Sequence, residues 1–210
     1  MKFQIFLTIL FSCFLIMVKG QSPLQNEDEK NLYWQPDSKV KYSHFQSKSD
    51  TNCVKFNKLY GFKMSATMQL NGIVDIPKSY LSRKIKKRIG QDKLYLAPVF
   101  CKNCSCIMSE DSSELMLNQL LFDVAEMCAR GARKELIATQ KQMNIDNVNS
   151  TFFITVKNKW DKRMRETWAS IYNEVLIQKK DSAFTQWRSL VDEMLQVNND
   201  FATQPNEIRR

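Results

Sequence analysis

The sequence predicts an α+β fold: a short antiparallel β hairpin or meander followed by a three-helix antiparallel bundle, with disulfides stapling the two parts. Three observations carry the prediction. From Phe62 to Leu70 apolar and polar residues alternate strictly, the period of a half-buried strand. Beyond Asp111, apolar residues recur every three or four positions as far as Phe201, the period of amphipathic helices. Five cysteines, Cys53, Cys101, Cys104, Cys106 and Cys128, follow an apolar leader of the kind that delivers chains to an oxidising compartment.

The leader is residues 1–20. Lys2 stands in front, an apolar run extends from Ile5 to Val18, and small Gly20 ends it, the three regions of a secretory signal peptide. The run is shorter than the roughly 18 to 20 apolar residues of a spanning helix. No later stretch is apolar enough, so no integral membrane span is expected. The terminus NEIRR carries no endoplasmic reticulum retention signal. The remaining chain is long enough for one domain with its own core. The whole sequence has a net charge of +9, and loss of Lys2 and Lys19 with the leader leaves it basic. A basic secreted chain is drawn to anionic surfaces such as sulfated polysaccharide, although solubility alone also favours a charge surplus. The leader excludes intracellular nucleic acid as a partner.

Residues 21–52 are polar and broken by Pro23 and Pro36, with scattered Tyr33, Trp34, Tyr42 and Phe45, and are expected to form a flexible arm. Residues 53–210 form one α+β domain, strand-rich with one basic helix over 53–108 and a helical bundle over 109–203. Val54, Phe56 and Tyr60 lie on one side of a period-two run. Phe62, Met64, Ala66, Met68 and Leu70 then alternate with Lys63, Ser65, Thr67 and Gln69. Asn71 and Gly72 are the pair best suited to the positive φ angles of a tight hairpin turn, and Ile73, Val74 and Ile76 begin the return strand. A further strand spans Leu94 to Phe100, where Pro98 suits a sheet edge. Between these, Asp75 as cap, Tyr80, Leu81, Ile85 and Ile89 at helical spacing, and Gly90 as terminator predict a helix with one apolar and one basic face.

Asp111 with Glu114 has the form of a capping box, and Leu117, Leu120, Leu121, Val124, Met127, Cys128, Leu136 and Met143 mark one stripe, with Gly131 a weak point. After the loop NIDNVNS a second helix carries Phe153, Val156, Trp160, Met164, Trp168, Ile171 and Val175. A third carries Phe184, Trp187, Val191, Met194, Leu195 and Phe201. Short connections favour antiparallel neighbours. Tryptophan and methionine stripes at this spacing read first as core and second as a ligand pocket.

The cluster CKNCSC, Cys101 to Cys106, reads as a structural staple. A redox CxxC pair starts a helix whose dipole lowers the thiol pKa, whereas Pro98, Val99 and Phe100 lead into this one. Zinc needs four ligands, and the only histidine, His44, is far off in sequence. A bond from the cluster to Cys53 or Cys128 would fasten the strand-like half to the helical half. If both bonded there, one of Cys101, Cys104 or Cys106 would be left as a free thiol or for a disulfide-linked dimer. Two glycosylation sequons occur, at Asn103 and Asn149. Disulfide closure shields the first, so Asn149 is the stronger candidate.

No catalytic motif is present. His44 in SHFQS has no nucleophile motif beside it and reads as an ordinary surface residue. Neither GxSxG, HExxH nor a phosphate-cradling glycine loop occurs among only five glycines, so neither an enzyme nor a cofactor is expected. Asp161 with Arg165 and Lys162 with Glu166 read as i,i+4 partners on a solvated face. The one conspicuous surface is RKIKKR, where Arg83, Lys84, Lys86, Lys87 and Arg88 form a candidate polyanion-binding cluster. Lys87 with Arg88 also has the form of a dibasic processing site. The expected function is that of a secreted, extracellular, non-enzymatic interaction protein. Its expected contacts are a receptor, another extracellular protein or a sulfated polysaccharide. The alternatives are a precursor cut near Arg88 and a CxxC redox protein.

Overall fold

The computed structural model describes residues 26–48, 52–75, 93–144 and 150–205. They form an α+β fold with a three-stranded antiparallel sheet, four helices and two closed cysteine pairs. The elements are β1 (Asn31–Tyr33), α1 (Asn52–Tyr60), β2 (Met64–Asp75), β3 (Lys93–Ile107), α2 (Ser112–Met143), α3 (Ser150–Ile171) and α4 (Ala183–Val197). The leader, the basic cluster from Arg83 to Arg88 and the sequon residue Asn149 lie outside the described residues.

Strand order is β1-β3-β2, so β3 is central. The expected turn at Asn71-Gly72 is corrected: β2 runs straight through it, with Asn71 opposite Ala97 and Gly72 opposite Leu96. Gly72 serves close approach instead. A β-carbon there would stand 2.6 Å from Cδ of Lys157 and 3.2 Å from Cε1 of Phe153, so its absence lets α3 settle on the sheet. Ile73 and Val74 continue β2, and Asp75 ends it; the helix expected after it, with Tyr80, Leu81, Ile85 and Ile89, lies outside the described residues. The return strand is β3.

Pro98 therefore lies in the central strand. Its carbonyl accepts from Trp34 N at 3.1 Å, which puts its main-chain groups on the β1 side, just past the last β1 pair, Tyr33 and Val99. The expected sheet edge is thereby corrected: Leu70 of β2 stands opposite Pro98, and the missing N–H is tolerated because it faces the β1 side beyond the last β1 pair.

Two further corrections concern the N-terminal half. Residues 52–60 are helical. Val54 and Asn57 face inward at i,i+3 spacing, and Gly61 with φ 73° closes the helix in a Schellman arrangement, Phe62 N donating to Asn57 O at 3.0 Å. Nor is the segment from 26 to 48 a loose arm. Leu32, Tyr33, Trp34, Val40 and Phe45 are buried, Trp34 Nε1 donates to Asp123 Oδ1 at 2.8 Å, and Val40 N donates to Gln119 Oε1 at 2.8 Å. The segment reads as polar because its apolar groups are few and widely spaced, and they bury against different neighbours, Trp34 and Val40 beside α2 and Phe45 edge-on to Phe100 of β3 at 5.4 Å.

The core lies between the sheet and α2. Met64, Met68, Leu70, Leu96 and Phe100 from the strands meet Leu117, Leu120, Leu121, Phe122, Val124 and Ala125. Phe153, Val156, Met164 and Ile171 of α3 and Val191 of α4 complete it, as their spacing predicts. The α2 helix touches both α3 and α4, and α3 continues after Ile171 in a wider π turn over Tyr172–Ile177. Asp111 caps α2, accepting from Ser113 N and Glu114 N. The reciprocal half of the expected capping box is absent. Glu114 turns to the start of β2 and accepts from Lys63 N at 2.9 Å and Met64 N at 2.8 Å. On α3, Asp161 pairs with Lys157 at 2.5 Å rather than with Arg165.

Inside this core is an ionic group that no sequence period announces. Glu126 is fully buried, and its Oε1 accepts from Arg130 Nε at 2.9 Å and from Thr203 N at 2.8 Å. Its Oε2 accepts from Thr203 Oγ1 at 2.5 Å. Arg133 bonds the carbonyls of Phe201 and Leu96, and Arg130 bonds the carbonyl of Leu195 while its guanidinium lies 5.2 Å from the Trp34 ring. Burial pushes the Glu126 carboxyl pKa up, against the pull of Arg133, Thr203 and Arg130. The network fastens the segment after α4 to α2.

Candidate functional site

The cysteines set the frame of the site. Cys53 bonds Cys106, and Cys101 bonds Cys104. The first tethers α1 to β3, and the second closes a ring within β3, so neither reaches the long helices. The expected staple between the strand-like and helical halves is thereby corrected. Core packing joins the halves instead. The odd cysteine is also corrected: it is Cys128, 1% exposed in α2, and burial pushes its thiol pKa up to about 12. The three cysteines of the cluster are all paired, so no leftover thiol there is available for a disulfide-linked dimer.

Between Cys101 and Cys106 the strand bulges. Thr67 is opposite Cys101 and Ser65 opposite Cys106, so β3 uses more residues than β2 over the same span. Asn103 and Cys104 stand exposed at the tip, whereas Ser105 is fully buried, its Oγ donating to Cys101 O at 2.6 Å and accepting from Thr67 N at 2.9 Å. The Asn103 sequon thus has an outward asparagine and a hydroxyl already used by the fold.

Beside the bulge, the tether from Cys53 to Cys106 fixes which face of α1 meets the sheet. Val54 and Asn57 go inward, and Phe56, Leu59 and Tyr60 go outward at 45%, 75% and 55% exposure. Phe56 lies 4.6 Å from Tyr60 and 5.8 Å from Phe62 between ring centroids, and Phe62 stacks on Tyr172 of the π turn at 5.8 Å. Burial, with the Glu114 charge, pushes the Tyr172 hydroxyl pKa up. Under this aromatic run opens a cleft of about 510 Å³ lined by Cys53, Phe56, Thr67, Asn103, Cys104 and Tyr172. Lys55 and Lys58 are exposed on the same short helix.

A second cleft, about 470 Å³, lies by Trp34, Met116, Phe184 and Leu195. Its charged groups serve one another, Arg188 pairing with Asp123 at 2.6 Å and with Asp192. The aromatic cleft is the better candidate because its apolar surface is uncompensated.

The expectation that His44 is an ordinary surface residue is corrected. The residue is 4% exposed, its Nδ1 accepts from Lys41 N at 3.1 Å, and its Nε2 lies 3.2 Å from Glu27 Oε2. Among the described residues no cluster of histidine, cysteine or carboxylate side chains is arranged to hold a metal ion, and no helix is long and apolar enough to cross a membrane. The expected strand character of Phe56 and Tyr60 is corrected: in sequence they fit a period of two, which hides an outward helical face. Gly61 as helix terminator, with apolar residues at 56, 59 and 60, was the signal for an outward helical face.

No family model, curated protein or solved structure matches the chain. The geometry of the cleft therefore carries the functional reading.

Proposed function

We propose that this is a secreted, non-enzymatic interaction protein that docks a partner protein on the aromatic face of α1. The observation that carries the reading is the cluster of Phe56, Leu59 and Tyr60, large apolar side chains held outward on a disulfide-tethered helix. Exposed aromatics on a rigid support give a large contact area at low cost in side-chain entropy. Lys55 and Lys58 flank them, so the complementary surface has an apolar centre and an acidic rim. The leader-like residues 1–20 and the paired cysteines support an extracellular setting. The three long helices, read as an antiparallel bundle behind the sheet, would serve as the scaffold.

The test begins with the full chain expressed in a secreting eukaryotic cell. The product in the medium is expected to begin near Gln21 with both disulfides closed. That product is then used to select from a random displayed-peptide library. Selected peptides should carry leucine or aromatic residues flanked by aspartate or glutamate, and should lose binding to Phe56→Ser/Tyr60→Ser and to Lys55→Glu/Lys58→Glu. Binders indifferent to both variants would place the docking surface elsewhere. A cytosolic product would overturn the secretory part alone.

A second reading rests on the charge of Arg83, Lys84, Lys86, Lys87 and Arg88. Heparin retention that drops when these five are neutralised, relative to a variant with equal charge removed elsewhere, supports a sulfated polysaccharide partner.

A further inference from the structure

The two disulfides are not equivalent. Cys106 is fully buried and its bond spans 53 residues, tethering α1 to the sheet. Cys101 and Cys104 are 3 residues apart, and Cys104 is exposed on the wall of the aromatic cleft. The bulge that holds this second pair is also secured without it. Lys102 N donates to Lys30 O at 2.7 Å, Gln46 N to Lys102 O at 3.0 Å, and Ser47 N to Ser105 O at 2.8 Å. Lys102 Nζ donates to Asp28 O at 2.7 Å, and Thr67 Oγ1 to Cys104 O at 3.1 Å. Ser105 Oγ ties the base of the loop to Cys101 O and Thr67 N. Opening the Cys101–Cys104 bond breaks none of these. A short ring whose frame survives its opening is poorly explained as a staple.

We infer that Cys101–Cys104 is a thiol–disulfide exchange site at which a cysteine-bearing partner in the aromatic cleft is captured covalently. The partner's thiolate attacks Sγ of the exposed Cys104. The bond between Cys104 and Cys101 breaks, its electron pair leaves on Cys101, and that thiolate takes a proton from water. The product is a mixed disulfide between Cys104 and the partner, formed with no net oxidation. Return attack by Cys101 on Cys104 Sγ restores the ring and releases the partner as its thiolate.

The pair lies in a strand and not at a helix N-terminus, so the chemistry suits reversible capture and not rapid turnover. Cys101 is held close to Cys104, which favours re-closure. The adduct therefore persists when the partner also gains non-covalent contact with Phe56 and Tyr60. That last step rests on the docking reading above, whereas exchange at the sulfur atoms does not.

The experiment uses the oxidised full-length secreted product with reduced glutathione at mildly alkaline pH, quenched in acid, alkylated and mapped by mass. Adduct or label at Cys101 and Cys104 should appear at least about tenfold faster than at Cys53 and Cys106, with the circular dichroism unchanged. Opening of both pairs together, or of neither before denaturation, overturns the proposal. In a second arm, Cys101→Ser treated with oxidised glutathione should keep the adduct on Cys104, because the resolving thiol is gone. Should that variant not fold, the wild-type arm decides alone. A third arm uses a short peptide with one cysteine flanked by leucine and aspartate. Phe56→Ser/Tyr60→Ser should reduce its capture and leave glutathione exchange unchanged; unaltered capture would remove the aromatic contribution while the sulfur chemistry stands.

Discussion

The indole of Trp160 occupies the space that a side chain at Gly131 would need: a β-carbon there would stand 2.2 Å from Cη2 and 2.4 Å from Cζ3 of the ring. This close approach is how α3 packs on α2. In an isolated helix, replacing glycine by alanine is worth about 1 kcal/mol of added stability. Here the half-buried ring is held by Nε1 donating to Glu135 Oε2 at 2.9 Å and by Arg163 4.7 Å from its centroid, so it does not move aside freely and overpacking wins. Gly131→Ala is expected to destabilise by about 1 to 3 kcal/mol in urea denaturation. Trp160→Leu should relieve much of that clash in the double variant, and a stabilised Gly131→Ala single variant would show the contact to be loose.

The Glu126 network predicts a second loss. Glu126→Gln keeps the shape but leaves the buried guanidinium of Arg130 and the partly buried one of Arg133 without their counter-charge. Breaking one side of a buried ion pair typically costs about 3 to 5 kcal/mol. Because Thr203 donates to the same carboxylate through its N and Oγ1, the segment after α4 should also loosen. Limited proteolysis should then cut between Asn198 and Gln204 in the variant well before the wild type. An unchanged midpoint and cleavage pattern would show the network to be dispensable.

The disulfides should differ in worth as they differ in loop length. In the chain-entropy account, a loop of the Cys53–Cys106 span contributes about 4 kcal/mol and one of the Cys101–Cys104 span about 2 kcal/mol. Cys53→Ala/Cys106→Ala is thus the more damaging pair, and it should also lower α1 protection in hydrogen exchange. Equal losses from the two pairs would contradict this ranking.

Acid should weaken the N-terminal segment. Glu27 Oε2 lies 3.0 Å from Lys102 Nζ and 3.2 Å from His44 Nε2, joining the segment to β3. Burial holds the His44 pKa below its ordinary 6.5, outweighing the attraction of Glu27, and Nδ1 can accept from Lys41 N only while unprotonated. The unfolded chain then binds the proton more readily, so this contribution is full above 6.5 and is lost as pH falls through the lowered value. The hydrogen bond from Lys102 holds the Glu27 carboxyl below its ordinary 4.5, so its contribution fades further down, as pH falls through that lowered value. Both act in the same direction. Amide protection at Leu32, Tyr33 and Phe45 should drop on acidification while that of α2 persists; protection that is flat to about pH 4, below both ordinary values, would show the cluster to be inert.

The helices were legible because a helix reports its buried face within a few turns of itself. The stripes at Leu117, Leu120, Leu121 and Val124, and at Phe153, Val156, Met164 and Ile171, are the faces that the core uses. Asp111 as a cap was legible for the same reason. The aromatic cleft was not, since Val54, Phe56 and Tyr60 fit a period of two as readily as an outward and inward division of a short helix. The turn at Asn71-Gly72 misled because glycine answers two needs, positive φ and close approach, and only the neighbour, Lys157 with Phe153, says which.

The sequence alone determined the α+β class, the three long amphipathic helices and the presence of oxidisable cysteines, all of which follow from composition and local period. Which strand returns to β2, which cysteines pair, that Cys128 is enclosed, and that residues 26–48 belong to the core were decided by tertiary structure. Each depends on groups far apart in the chain meeting in space, and a local pattern carries no record of a distant partner.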